Sequence, residues 1–213
     1  VLTGRGHFED SRTLRVETSE GQQVIAYQTA IVAVGSKPAM PQAFDVGNTR
    51  VMTSTEALEL EEVPQHLLIV GGGYIGLELG TVYATLGSRV VLVEAMEAIL
   101  LGLDADLARP VLRSVERAFK EIRLGTTVLK IATHGQQIKV TFESAGKQMD
   151  EAYDRVLVAV GRVPNCADLG LEHTRVTRDD KGFIVVNAQQ QTQDPAIYAI
   201  GDVVGGPLLA HKA

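Results

Sequence analysis

Gly71, Gly73 and Gly76 stand in the pattern G-x-G-x-x-G, and an acid, Glu94, ends the second apolar run that follows. Residues of these types at this spacing can hold a dinucleotide. Gly71 permits a tight turn, Gly73 lets a pyrophosphate approach bare main chain, and Gly76 lets a helix pack closely on the preceding strand. The first turn of that helix offers free N–H groups and partial positive charge to phosphate oxygens. Glu94 can accept hydrogen bonds from both hydroxyls of an adenosine ribose. It would also repel a 2′-phosphate, and no Lys or Arg follows it before Arg109, so NAD is expected rather than NADP.

The neighbouring sequence must position this turn. Residues 67–70 and 90–93 are short, apolar and rich in β-branched side chains, as strands buried on both faces of a parallel sheet should be. Between them Ile75, Leu79, Val82 and Leu86 recur at helical spacing and mark the expected inward face of a helix that Gly87 stops. G-x-G-x-x-G alone is common in glycine-rich turns. The strand before it, the helix after it and the acid beyond make this one a βαβ unit.

Upstream, residues 1–8 are apolar and punctuated by glycine, and residues 14–17 and 24–27 flank Ser19-Glu20-Gly21 as a β-hairpin. Residues 29–34 read as a buried strand ended by Gly35-Ser36-Lys37-Pro38. Thr53-x-x-Glu56 is a capping box that opens a short helix through Leu60. Downstream, Leu107, Val111, Val115 and Phe119 mark one face of a helix over about residues 104–120, kinked at Pro110 or beginning nearer to it. Strands are expected at 127–131, 138–142, 155–160 and 196–200. Three apolar runs thus end on Val34-Gly35, Val160-Gly161 and Ile200-Gly201, at the strand edge where α/β sheets bind ligands.

Bulk properties narrow the classes. The 213 residues, 45% of them hydrophobic, suffice for one or two domains. A net charge of −6 without a basic cluster makes nucleic acid and anionic membrane surfaces poor partners. No apolar run approaches the ~20 residues of a membrane span. Cys166 is the single cysteine, an incidental loop thiol on this reading; it excludes an internal disulfide and a cysteine-rich metal site and fits a reducing compartment. Beginning at Val1 and stopping at Ala213, the chain reads as a piece of a longer protein.

Four segments in order carry a resemblance: Ala33-Val34-Gly35-Ser36-x-Pro38, residues 71–94, Val160-Gly161-Arg162-x-Pro164-Asn165, and Thr192-x-x-Pro195-x-Ile197-Tyr198-Ala199-Ile200-Gly201-Asp202. Together they resemble the flavin-dependent pyridine nucleotide–disulfide oxidoreductases. Leu209-Ala210-His211-Lys212-Ala213 is most similar to the branch that oxidises dihydrolipoyl groups.

The resemblance implies an α/β fold: a Rossmann-like NAD-binding domain, with a parallel sheet and an antiparallel β-meander, plus flanking parts of a discontinuous FAD-binding domain. The expected division is 1–42 and 186–213 for the FAD-binding parts and 43–185 for the NAD-binding domain. Two cofactors follow, FAD and NAD. On the NAD side the resemblance places Gly71, Gly72, Gly73, Tyr74, Ile75, Gly76, Leu77, Glu78, Glu94, Val128 and Gly161, with Val128 acting through its backbone and Glu78 near the flavin and nicotinamide rings. On the FAD side it places Gly6, Val34, Gly35, Ser36, Asp202, Leu208, Leu209, Ala210 and His211, with Asp202 accepting from ribityl hydroxyls.

The redox disulfide and the His-Glu acid–base pair would lie outside this chain, which therefore holds no catalytic residue and no metal site and is expected to be inactive alone. Implied partners are a lipoyl-bearing domain of a 2-oxoacid dehydrogenase complex and a second copy in a homodimer. The implied compartment is the cytoplasm of a bacterium or a mitochondrial matrix. Another substrate on the same fold (that of mercuric reductase, a soluble transhydrogenase or an NADH oxidase) is the alternative that cysteine spacing upstream would settle. A non-catalytic NAD-binding module is a further one, and a parent protein without flavin would favour it.

Overall fold

The computed structural model describes residues 1–209. The chain divides into two compact units, Val1–Lys37 with Arg162–Ala213, and Pro38–Gly161. The first unit opens with an antiparallel meander of β1 (Arg5–Asp10), β2 (Thr13–Thr18) and β3 (Gly21–Ala26), followed by β4 (Ala30–Val32) and β5 (Ser36–Pro38). The second runs β6 (Val51–Met52), α1 (Ser54–Glu59), β7 (His66–Val70), α2 (Tyr74–Thr85), β8 (Arg89–Val93), α3 (Ala105–Ala118), β9 (Glu121–Arg123), β10 (Thr126–His134), β11 (Gln137–Ser144), β12 (Lys147–Tyr153) and β13 (Arg155–Val158). The chain then re-enters the first unit with β14 (Arg162–Pro164), paired with β5, and β15 (Ile197–Ala199), paired in parallel with β4.

In the second unit five strands form a parallel sheet in the order β6-β13-β7-β8-β9. Successive side chains of a strand point to opposite faces, so the continuous apolar runs cover both. Leu67, Ile69, Val90 and Leu92 join Leu77, Tyr83, Val115 and Phe119 of the helices. Leu68, Val70, Val91 and Val93 join Ile138, Val140, Phe142 and Tyr153 of the antiparallel β10-β11-β12 meander. The sheet is thus sandwiched between helices and meander, and residues that could not tolerate water on either face are fully buried.

Thr53 caps α1 as the sequence dictates: the backbone N–H of Thr55 donates to its hydroxyl and its own N–H donates to Glu56 at 2.7 Å. The helix ends at Glu59 with Leu60 in the left-handed conformation. The Thr53 hydroxyl holds the Glu56 carboxyl below its ordinary value of 4.5, against the opposing effect of burial. Buried Tyr83 of α2 donates to the Ala57 carbonyl at 2.8 Å and ties the two helices together.

Several expectations need correction. The inward face of α2 is Gly76, Leu77, Leu79, Gly80 and Tyr83, while Val82 and Leu86 are exposed and Ile75 is half-buried. The helix approaches the sheet through its glycines, a contact that no hydrophobic period shows. Helix α3 starts at Ala105 and runs through Pro110, and only its C-terminal half packs inward: Val115 and Phe119 are buried, Leu107 and Val111 exposed. Of residues 29–34 only Ala30–Val32 form a strand. Val32 is buried but Ile31, which points to the opposite face of β4, is 64% exposed. Strand β12, KQMDEAY, has no apolar alternation and buries only Tyr153. The two compact units divide at 37/38 and 161/162, and Cys166, Leu171 and Ile184 share a core with Phe8, Val32 and Ile197.

Two outcomes check this account. A Cβ at Gly80 would lie 2.6 Å from both Ile69 Cδ1 and Phe119 Cζ, so Gly80→Val lowers unfolding free energy in urea by about 1–3 kcal/mol. Thr53→Ala costs about 1 kcal/mol at neutral pH. A carboxyl whose folded pKa is depressed stabilises above its unfolded pKa and ceases to as pH falls through the folded one. The gap between the urea midpoints of parent and variant therefore narrows as pH falls below about 4.5, the ordinary value for Glu56, and the share from the Thr55 cap bond remains.

Candidate functional site

The turn between β7 and α2 is built from main chain touching main chain. Gly71 adopts φ +112°, and a Cβ there would lie 2.4 Å from the Ala159 carbonyl oxygen at the end of β13. A Cβ on Gly76 would lie 2.2 Å from the Gly71 carbonyl oxygen. Both glycines are therefore required by contacts within the protein. Gly73 differs: a Cβ on it would meet nothing within 4 Å among the described residues. It is the N-cap of α2, in extended conformation and without a side-chain cap, and the N–H groups of a helix's first turn have no acceptor within the helix.

Glu94 is directed at this turn. Its Oε2 accepts from the Gly72 N–H at 2.7 Å and its Oε1 accepts from the Met96 N–H at 2.9 Å. A carboxylate oxygen can accept more than one hydrogen bond, so both oxygens retain capacity for hydroxyl donors. The surroundings remain acidic: the Glu97 carboxylate lies near Gly125, and the nearby strand cation Arg123 is already paired with Glu121 and Glu151. Buried Ile99 lies beneath Gly72, and the Leu100 N–H donates to the Gly72 carbonyl at 2.9 Å. Sequence reasoning did not single out Leu100, and no spacing rule would have pointed to it.

Tyr74, Ile75, Leu77 and Glu78 occupy the first turns of α2, with Tyr74 and Glu78 exposed and Leu77 buried. Val128 packs its side chain into the core at a β-bulge, where the register slips between Val128 and Lys130. Gly161 is exposed with φ +137°.

The first unit gathers a second set. Parallel β4 and β15 end together, and each is followed by a glycine in the left-handed region, Gly35 (φ +69°) and Gly201 (φ +76°). Ser36 donates its hydroxyl to Asp202 Oδ2 at 2.5 Å. Arg162 donates from Nε to the Ser36 hydroxyl at 2.6 Å and from a terminal nitrogen to the Ser36 carbonyl at 2.7 Å. The Gly35 carbonyl accepts from the Asn165 N–H, and the Val34 carbonyl accepts from the Asn165 side chain. Arg162 stands inside the Gly161-Arg162-x-Pro164-Asn165 segment, but no local spacing announces its pairing with Ser36, which spans 126 positions of sequence. Gly6 lies within β1 opposite Val16, and a Cβ there would sit at an ordinary 3.5 Å from Leu14, so no close approach demands glycine. Leu208 and Leu209 are half-buried, while Ala210 and His211 lie outside the described residues.

A parallel sheet whose glycine turn carries an acid-gripped main chain defines a dinucleotide-binding protein. The sequence pattern of the pyridine nucleotide-disulphide oxidoreductases matches residues 2–213, and the chain belongs to that family. Over its whole length it is 41% identical to the dihydrolipoyl dehydrogenase of Vibrio cholerae and 42% to that of Haemophilus influenzae. It is 38% identical to that of Geobacillus stearothermophilus. It spans 45%, 44% and 45% of those relatives, respectively. Among solved structures, the Cu(II) complex of the HOCl-induced flavoprotein disulfide reductase RclA from Escherichia coli superposes with a TM-score of 0.89 at 32% identity, covering 100% of this chain and 47% of that one.

Glu94→Ala removes the acceptor of two turn N–H groups. It lowers unfolding free energy by about 1–3 kcal/mol, read from denaturant midpoints without ligand, whereas Glu78→Ala on the exposed face of α2 changes it by less than about 0.5 kcal/mol.

Proposed function

We propose that the protein is a dihydrolipoyl dehydrogenase of which this chain supplies the NAD-binding domain and part of the FAD-binding domain. The single observation that carries the NAD reading is the open main chain at Gly73 beside a fixed Glu94 carboxylate. Residues 72–74 and the α2 N-terminus bind the pyrophosphate, and Glu94 accepts from the adenosine ribose. Glu94 and Glu97, with Arg123 neutralised by its own carboxylates, disfavour a 2′-phosphate. Val128, Gly161 and Glu78 complete this side as the family likeness suggests.

The FAD reading rests on Asp202. Ser36 and Arg162 fix its carboxylate at the ends of two parallel strands, and its Oδ1 accepts no hydrogen bond among the described residues. That oxygen is free to accept from ribityl hydroxyls, and Val34, Gly35, Leu208 and Leu209 complete this side as the family likeness suggests. Bound FAD and NAD supply hydride transfer, and a disulfide outside this chain exchanges with the dihydrolipoyl thiols. The residues here bind, orient and select. A lipoyl-bearing domain of a 2-oxoacid dehydrogenase complex and a second copy of the protein are its partners, and the cytoplasm is its compartment.

The test is dihydrolipoamide-dependent reduction of NAD and NADP by the full-length protein. NAD is preferred by at least about tenfold in kcat/KM, and Gly73→Val lowers kcat/KM for NAD by about 100-fold or more while the flavin spectrum is retained. Equal use of NADP removes the role of Glu94. Turnover of other disulfides with none of dihydrolipoamide moves the protein to another branch of the family.

A further inference from the structure

Outside the cofactor sites, the first unit brings together three metal-ligating side chains from two elements. His7 lies in β1, and Glu172 and His173 lie in the 3₁₀ turn Leu171–His173; one ligand atom from each lies within 4.8 Å of the others. The His7 and His173 rings stand 5.9 Å apart at 49°, and His173 Nε2 is 3.7 Å from Glu172 Oε1. His7 also has a buried ring nitrogen, Nδ1, with no hydrogen-bond partner among the described residues.

The backbone beneath is fixed. The Phe8 N–H donates to the Leu169 carbonyl at 2.7 Å, which ties β1 to the approach to the turn. Gly170, at φ +74°, lies so close that a Cβ would fall 2.3 Å from the Phe8 carbonyl oxygen and 2.6 Å from the His7 ring. Two hydrogen bonds then close the turn: the His173 N–H donates to Gly170, and the Thr174 hydroxyl donates to Leu171 at 2.7 Å. Only the side chains remain adjustable, and Glu172 and His173 are 69% and 51% exposed.

We propose that His7, Glu172 and His173 form a binding site for a divalent first-row transition ion of the zinc or nickel type. Two imidazoles and a carboxylate are the ligand set such ions take, whereas magnesium and calcium favour oxygen alone. Metal–ligand bonds of about 2.0–2.2 Å in tetrahedral geometry place ligand atoms about 3.4 Å apart. The exposed side chains therefore close by little more than about 1 Å around the ion, and water fills the fourth position. A cavity of about 310 Å³ lined by Arg5, His7, Glu17 and Asp168 opens beside His7 and gives a hydrated ion access. The bound ion clips β1 to the 3₁₀ turn that carries the core residue Leu171, raising the stability of the unit by mass action.

The experiment titrates chelator-treated, air-oxidised full-length protein with Zn²⁺ by calorimetry, and with Co²⁺ to read its ligand-field absorption. Saturable binding of one ion per chain is expected, without a thiolate charge-transfer band. His173→Ala and Glu172→Gln change exposed side chains and leave the fold intact. His173→Ala weakens binding at least tenfold and Glu172→Gln weakens it severalfold. His134→Ala, on an exposed strand end of the other unit, leaves it unchanged. Absence of saturable binding, thiolate bands in the cobalt spectrum, or affinity unchanged in His173→Ala overturns the proposal.

Discussion

The contact on which the second unit depends is between two pieces of bare backbone. Where β7 gives way to α2, Gly71 presses against the Ala159 carbonyl and Gly76 against the carbonyl of Gly71 itself. A side chain at either position would push the helix off the sheet or the turn away from β13. The distance of α2 from the sheet, the direction of its axis and the position of its first N–H groups follow from these two contacts. Gly80, wedged between Ile69 and Phe119, extends the same contact a turn further and draws α3 into it.

That constraint explains which parts of the structure could be read from the chain. Continuous apolar runs announce strands buried on both faces, and β7, β8 and β13 fall where those runs do. The capping box at Thr53 is local chemistry and is equally legible. The α2 face is a different matter. Both of its faces carry apolar residues, so periodicity selects Ile75, Leu79, Val82 and Leu86, while close approach selects Gly76, Gly80 and Tyr83. Glycine contributes no hydrophobic signal, yet here it marks the tightest interface. For α3 the pattern named four inward residues and packing used two. Strand β12 was invisible because an edge strand paired on one side can hold its place by backbone hydrogen bonds alone.

The site residues divide along the same line. The glycine turn and Glu94 form one local motif, and their identities and spacing contain most of the geometry. The Ser36–Arg162–Asp202 set does not. Its members come from three strand ends far apart in sequence, and only the parallel pairing of β4 with β15 and the return of the chain through β14 bring them together. The segments around each residue were recognisable separately, but the hydrogen bonds that make Arg162 the support of Ser36 exist only in the folded unit. His7, Glu172 and His173 are more extreme, since histidine in β1 has no local meaning until Gly170 lets the 3₁₀ turn approach.

Under the proposed function, Glu94 joins stability to recognition in one carboxylate. By accepting from Gly72 and Met96 it holds the turn and is itself held, with its oxygens already oriented before any ligand arrives. A free glutamate would lose side-chain entropy on binding a ribose, about 1.5–2 kcal/mol on common scales. Here most of that loss has been incurred in folding, so the hydrogen bonds to a sugar appear more fully as affinity. The proposed function would then make the requirement for an acid at the end of the second strand twofold. A residue that supplied only the ribose contact would leave the Gly72 N–H without its acceptor, and one that supplied only the cap would leave the sugar unread.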